Sequence, residues 1–347
     1  MDALPAPAWV PAEGADRWRE DVAAWTADTL ARLGRSAVGP PTVHKRAPWS
    51  MVLRVPTRDG TVWLKETVWF KENVPTPGPE PALLHLLSER EPGRVPTPLG
   101  VDPERGWVLL SDYGPTLRAR GRDDDPDLWA DLVSQWSQLT RALAGQAPEL
   151  QALGVPRLAP ADAESYLARR IGELSALAPD DPAHLGAADA ARLGAVLPDV
   201  ARAGEQLDAL GLPDTLWHND LHTNNVFDTP DGLVFFDLGD ALVGSPLCDL
   251  LIPLRFLANA RGNELGPGDD VFADPGLARV VEAAIEPWSD LATSRDLRDA
   301  VPAALLLGVL GRSESWRRAV PADDPSEDAD ASTAWLLELV GGVDGAA

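Results

Sequence analysis

The run Trp217-His218-Asn219-Asp220-Leu221-His222-Thr223-Asn224-Asn225-Val226-Phe227 constrains this chain more than any other segment. Its pattern is H-x-D-x-x-x-x-N, and Asp237 follows twelve residues beyond the Asn, at the end of Leu233-Val234-Phe235-Phe236. Between them, Asp228-Thr229-Pro230-Asp231-Gly232 is a turn signal, with Pro and Asp-Gly supplying the tight backbone geometry. The flanking segments Asn225–Phe227 and Leu233–Phe236 read as the two short strands of a hairpin. Such a hairpin would bring Asn225 and Asp237 back beside each other. Two oxygen ligands at one point suit a hard cation such as magnesium. Asp220 would then sit just upstream, within reach of a substrate hydroxyl. Asp and Asn near Pro and Gly ordinarily make turns. His218, the strand-borne Asp237 and Gly239 two residues after it turn the balance towards chemistry.

That chemistry is phosphoryl transfer from ATP: one carboxylate orients a hydroxyl and takes its proton, while an amide oxygen and a second carboxylate hold magnesium. It also needs a strand lysine for the phosphates and a helix glutamate to hold that lysine. Met51–Pro56 and Thr61–Lys65 read as strands around the turn Thr57-Arg58-Asp59-Gly60. Lys65 ends the second strand, and Glu80 opens an apolar helix, Ala82-Leu83-Leu84-His85-Leu86-Leu87. Lys65 and Glu80 are the expected ion pair. Lys71 is the rival, because Thr61-Val62-Trp63-Leu64-Lys65-Glu66 recurs as Thr67-Val68-Trp69-Phe70-Lys71-Glu72. On one continuous strand the two lysines would share a face, roughly 20 Å apart, so both cannot serve.

The segment His218–Val226 resembles the catalytic loop of the aminoglycoside phosphotransferase family, a branch of the protein-kinase-like fold with choline, homoserine and methylthioribose kinase relatives. The second His of that loop is matched by His222. Asp237-Leu238-Gly239-Asp240-Ala241, then Gly244-Ser245-Pro246 and Asp249-Leu250, resembles the family's metal-binding and following segments. The resemblance implies an α+β, bilobal protein-kinase-like fold. Residues 1–110 would be an N-lobe with a small antiparallel sheet, and residues 111–347 a mainly helical C-lobe. It implies ATP and Mg2+ as cofactors, Asp220 as catalyst, Asn225 and Asp237 as metal ligands, and Asp249 as a buried brace for the loop. No G-x-G-x-x-G lies between residues 35 and 55, and Ser50, after Arg46-Ala47-Pro48-Trp49, is the candidate phosphate contact in its place. Val108-Leu109-Leu110-Ser111-Asp112-Tyr113-Gly114 resembles the strand and hinge between lobes, with adenine read at Asp112 and Tyr113.

Three other readings compete. A protein kinase would carry Arg where Asn219 stands and an Ala-Pro-Glu in its activation segment, and neither is found. A non-catalytic nucleotide-binding pseudokinase would have lost a lysine, base, amide or metal acid, and all four are present. A metabolic kinase of choline, homoserine or sugar type shares every ATP-handling motif, so it stays open beside an antibiotic-directed enzyme.

The net charge of −24 argues against nucleic-acid binding, which needs basic surface. It favours a cationic small-molecule acceptor, such as an aminoglycoside-like antibiotic or amino sugar, and equally fits a generally acidic surface. No stretch approaches 18 uninterrupted apolar residues, and the N-terminus lacks a basic-then-apolar leader, so neither a membrane span nor a secretory signal is expected. The single cysteine, Cys248, excludes an internal disulfide. A cytoplasmic enzyme, monomer or homodimer, is the expectation.

Helical spacing places helices at 15–34, 128–143, 161–176, 187–210, 245–260, 276–293 and 297–319. Two acidic irregular segments, 264–274 and 323–330, read as solvated loops or as caps on an acceptor site.

Overall fold

A computed structural model describes residues 4–59, 62–74, 78–320 and 328–343. They fall in two compact units. The first draws on Met1–Gly114, Asp228–Gly239 and Arg318–Ser326, the second on Pro115–Phe227, Asp240–Arg317 and Glu327–Ala347.

The first unit opens with α1 (Ala15–Arg32), closed by Gly34 at φ +70°, a conformation glycine adopts without Cβ strain. The strands are β1 (Arg35–Ala37), β2 (Thr42–Ala47), β3 (Ser50–Asp59), β4 (Val62–Asn73), β5 (Gly100–Asp102) and β6 (Trp107–Ser111), with α2 (Glu80–Arg90) between β4 and β5. They form one antiparallel sheet in the order β1-β3-β4-β6-β5, with β2 also paired to β3. The β3–β4 hairpin is longer than the sequence suggests. β3 runs past Pro56 to Asp59, and β4 continues through both lysine repeats; Gly60 and Thr61 lie outside the described residues.

Strand alternation sorts the faces. Met51, Leu53 and Val55 of β3, Phe70 of β4, and Trp107 and Leu109 of β6 pack with Trp18, Val22 and Leu30 of α1. Phe70 and Trp107 meet edge-to-face at 5.4 Å, and Trp25 packs on both. Glu72 is buried on that same face. Trp9 Nε1 donates to its Oε1 at 3.2 Å and Trp18 Nε1 to its Oε2 at 2.9 Å. Burial pushes this carboxyl above the usual range, and the indole donors work against that rise. Lys71, one residue earlier, therefore belongs to the opposite face.

The second unit is mainly helical. Its elements begin with α3 (Pro126–Ala142), α4 (Ala147–Ala152), α5 (Ala163–Ser175), α6 (Ala187–Ala195) and α7 (Leu197–Ala209). The periodic run at 187–210 is thus two helices, broken at Val196 just before Pro198. Then come β7 (Thr215–Trp217) and β10 (Leu242–Gly244); between them in sequence are β8 (Val226–Thr229), half of which falls in the first unit's Asp228–Gly239 stretch, and β9 (Gly232–Phe235), which falls wholly in it. β7 pairs with β10, and β8 with β9 in the expected hairpin. The chain ends in α8 (Leu251–Ala260), α9 (Pro275–Ile285), α10 (Ser294–Asp299), α11 (Val301–Ala319) and α12 (Ala331–Val343). α3 starts on an Asp125 cap with Pro126 in its first turn, and it buries Trp129, Leu132, Val133, Trp136 and Leu139. Asp274 caps α9 in the same way, accepting from the amides of Gly276 and Leu277. Asp269, Asp270 and Asp274 of the first acidic segment each accept a nearby backbone N–H. Most of the second acidic segment lies outside the described residues. No described helix is long and apolar enough to cross a membrane.

Candidate active site

In the first unit, Lys71 Nζ lies 2.8 Å from Glu80 Oε1 and 2.6 Å from Asp237 Oδ1. The other Glu80 oxygen accepts from Asn73 Nδ2 at 2.6 Å, and the Leu238 amide donates to Oε1 at 3.0 Å. The sequence-based pairing of Lys65 with Glu80 is thereby corrected to Lys71 with Glu80. The register supplies the reason. β6 pairs with β4 only from Val68 to Glu72, so Lys71 sits inside the sheet between β3 and β6. Lys65 pairs with Arg58 alone, near the hairpin end. With Glu80 fixed at Lys71, a lysine six residues away stands about 20 Å off along the strand.

Burial is the largest influence on Lys71 and would lower its pKa. The charges of Asp237 and Glu80 outweigh it and hold the ammonium far above its usual range. Glu80 is shifted upward by burial, opposed by Lys71 and reinforced by Asp237. Asp237 has φ +63°, rare for a residue with a Cβ, and such strain persists where surrounding contacts over-determine it. Gly239 permits the close approach: a Cβ there would come 2.7 Å from Asn73 Nδ2. Asn73 was not singled out from sequence, since nothing local marks a strand-end asparagine as a ligand of a helix glutamate.

Ser50 opens β3 directly after the Pro48-Trp49 turn from β2 and pairs with Asn73. The serine is 3 % exposed, and its Oγ has no hydrogen-bond partner among the described residues. A buried hydroxyl without a partner is costly. A nucleotide phosphate oxygen is the kind of acceptor that would satisfy it, so this residue fits the group. Asp112 and Tyr113 follow β6. Asp112 Oδ1 accepts from the Gly114 amide at 2.9 Å, and Tyr113 Oη accepts from the Thr97 amide at 2.8 Å.

In the second unit, Asp249 organises the loop. Its Oδ2 accepts from the His218 amide at 2.7 Å and Trp136 Nε1 at 2.6 Å, and its Oδ1 accepts from the Asn219 amide at 2.8 Å. Burial pushes its carboxyl upward, and those three donors oppose the shift. Asp249→Asn leaves an amide NH2 facing donors. The unfolding free energy is expected to fall by about 2–4 kcal/mol in urea titration. A change below about 0.5 kcal/mol, the surface-substitution level, would reject the bracing role.

Asn219 is the other left-handed residue of the chain with a side chain among the described residues, at φ +63°. Its Nδ2 donates to Ser315 Oγ at 2.7 Å, to the Gly311 carbonyl at 2.9 Å and to the Asp240 carbonyl at 3.2 Å. Asp220, the next residue, receives Asn225 Nδ2 on its Oδ2 at 3.1 Å and on its carbonyl at 2.9 Å. That use of Nδ2 leaves Oδ1 as the acceptor atom of the Asn225 side chain. His222 Nε2 lies 3.4 Å from the same Asp220 oxygen. His222 Nδ1 accepts from the Asn224 amide at 3.1 Å, which leaves Nε2 as the ring atom turned to the carboxylate. The ring stacks on Phe256 at 4.5 Å. Arg312 Nη1 completes the set, 3.2 Å from Asp220 Oδ1. Burial acts on Asp220 most strongly and would raise its pKa. Arg312 and His222 together outweigh it and hold the carboxyl well below the usual carboxylate range.

Among the described residues no group of three or more His, Cys, Asp or Glu is placed to hold a metal ion. An amide oxygen such as that of Asn225 and a carboxylate such as that of Asp237 are each the hard oxygen donor that magnesium takes alongside nucleotide phosphates. Trp217, the last residue of β7, is a core residue at 1 % exposure.

A sequence model of the phosphotransferase enzyme family matches residues 42–280, and the chain belongs to that family. It is an ATP-dependent phosphotransferase with an alcohol group as acceptor, a kinase of small molecules. Solved structures share its fold. A macrolide 2′-phosphotransferase type I is 16 % identical, with 90 % of this chain and 96 % of that chain covered at a TM-score of 0.55. A Plasmodium vivax ethanolamine kinase is 12 % identical, with 86 % and 80 % covered at 0.56. The amicoumacin kinase hAmiN, solved in complex with AMP-PNP, Ca2+ and Ami, is 15 % identical, with 94 % of both chains covered at 0.55. No curated protein matches the chain.

Proposed function

We propose that this enzyme transfers the γ-phosphoryl group of Mg-ATP to a hydroxyl of a cationic small molecule, of aminoglycoside or amino-sugar type. The observation that carries the reading is the Asp220 carboxylate, fixed by Asn225, His222 and Arg312 in the loop that follows β7. Asp220 orients the acceptor hydroxyl and accepts its proton. Lys71, held by Glu80, pairs with the phosphates, and Ser50 donates to them. Asn225 and Asp237 would each offer an oxygen to magnesium, which would neutralise phosphate charge. The backbone beside Asp112 and Tyr113 reads adenine.

A groove of about 620 Å³ within the second unit supports the cationic acceptor. Arg255 and Asn259 of α8, Glu264 and Asp269 of the following loop, and Glu338 of α12 line it. Arg255 pairs with Glu338, and its guanidinium lies 4.8 Å from the Trp335 ring centre. Arg312, which touches Asp220, lies 5.6 Å from the centre of that same ring. One aromatic side chain thus separates the groove lining from the arginine at the catalytic carboxylate. Ammonium groups placed there would be drawn by Glu264 and Asp269.

The test is ADP release from Mg-ATP against aminoglycosides, basic peptide antibiotics, amino sugars and small amino alcohols. Turnover on one aminated class, absent in Asp220→Asn, is the expected result. Stimulation only by uncharged polyols would reject the cationic acceptor and leave the metabolic sugar-kinase alternative. Glu264→Gln is expected to raise the acceptor KM about tenfold, as loss of about 1.4 kcal/mol of ion pairing, with kcat unchanged. An unchanged KM would place the ammonium groups elsewhere.

A further inference from the structure

Helix α11 grips the catalytic loop at Gly311, Arg312 and Ser315. Gly311 and Ser315 accept from the Asn219 side chain, as above. A Cβ at Gly311 would come 2.8 Å from the Trp217 ring and 3.0 Å from Asn219 Oδ1, so the helix seats this closely only with glycine there. Arg312 reaches furthest. Its Nη1 donates to the Asn219 carbonyl at 2.7 Å and lies 3.2 Å from Asp220 Oδ1 and 3.4 Å from Asp240 Oδ2. The residue is 7 % exposed, with the Trp335 ring against its guanidinium.

We infer that Arg312 is the positioning residue of Asp220, an inference that rests on the kinase reading of that carboxylate. Two oxygens must be fixed to aim a carboxylate. Oδ2 is held from within the loop by Asn225 and His222. Oδ1 is held by Arg312, from a helix more than ninety residues away in sequence. Because the same Nη1 also binds the Asn219 carbonyl, Arg312 references the carboxylate to the backbone of its own loop. Asp240 Oδ2 lies 3.4 Å from that same Nη1 and adds a second carboxylate to it. The planar guanidinium, buried under an aromatic ring, arrives pre-oriented, which a lysine ammonium on a flexible stem would not.

The experiment compares Arg312→Ala and Arg312→Lys with the wild type, using full-length protein, ADP release from Mg-ATP with an acceptor from the panel, thermal unfolding, and crystal structures. In Arg312→Ala, kcat is expected to fall about 10²-fold, the scale of an ångström's misplacement, while the KM for ATP stays within about twofold. Methylguanidinium added to Arg312→Ala should recover part of kcat, and Arg312→Lys should fall between the two. The Arg312→Ala crystal structure should show the Asp220 carboxylate turned from its present place. A wild-type kcat in Arg312→Ala, or an Asp220 carboxylate that has not moved, overturns the inference. Activity lost only in step with folded protein, with no recovery by lysine or methylguanidinium, overturns it too. If the wild type phosphorylates nothing, the kinase reading falls, and the crystallographic comparison still decides the positioning.

Discussion

Asp220→Asn is expected to lower kcat about 10³-fold, a barrier increase of about 4 kcal/mol, with the KM for Mg-ATP nearly unchanged. The substitution is isosteric, so the loop keeps its shape. Its chemistry changes in two ways. The amide cannot take the hydroxyl proton, and it offers one acceptor oxygen where the carboxylate offers two. Asn225 and His222 approach one oxygen of Asp220 and Arg312 the other. An NH2 must therefore face a donor on one side, and the aim of the remaining oxygen is disturbed. Transfer of a phosphoryl group draws mainly on positioning and charge, so both losses fall on kcat. A decrease smaller than tenfold would remove Asp220 from the catalytic role.

Lys71→Met and Lys65→Met separate the twin repeats. Lys71→Met is expected to lower kcat/KM by about 10²–10³, the scale for removing one preorganised donor from developing charge. Lys65→Met should stay near wild type. Lys71 also holds two carboxylates together. Without it Glu80 is left buried beside Asp237 with no cation, and stability should fall by about 3–5 kcal/mol. The pH dependence has a definite sign. Burial already raises the Glu80 pKa, and loss of Lys71 raises it further. A carboxyl whose folded pKa is raised contributes stability at low pH and loses it as pH rises through the folded value. The Lys71→Met deficit should thus be largest at neutral pH and shrink on acidification towards the ordinary carboxylate range. Urea titrations of both variants at several pH values read this directly. Equal loss of activity in Lys65→Met would return the phosphate role to the earlier repeat.

The repeats show where sequence reasoning stops. Thr-Val-Trp-Leu-Lys-Glu and Thr-Val-Trp-Phe-Lys-Glu are equivalent by local pattern, and both lie on β4. What distinguishes them is which stretch of β4 also pairs with β6, a partner more than thirty residues later. The hairpin β8–β9 and the helices α1, α3 and α5 were legible because turn chemistry and apolar periodicity are local. Helix boundaries slipped where proline interrupts a periodic run, as at Pro198 and Pro287. Asn73, Asn219 as a three-partner side chain, and Arg312 carried no signal: each is defined by atoms distant in sequence.

The sequence by itself determined the class of chemistry, because Asp220, Asn225 and Asp237 keep their order and spacing within one loop and hairpin, where backbone length limits the outcomes. It also determined that a strand lysine would meet the glutamate opening α2. The tertiary structure alone decided that this lysine is Lys71 and that α11 supplies the cation beside Asp220. Those choices depend on strand register and helix packing. Both are settled by burying one face of each element against partners far along the chain, and no local pattern of residues encodes them.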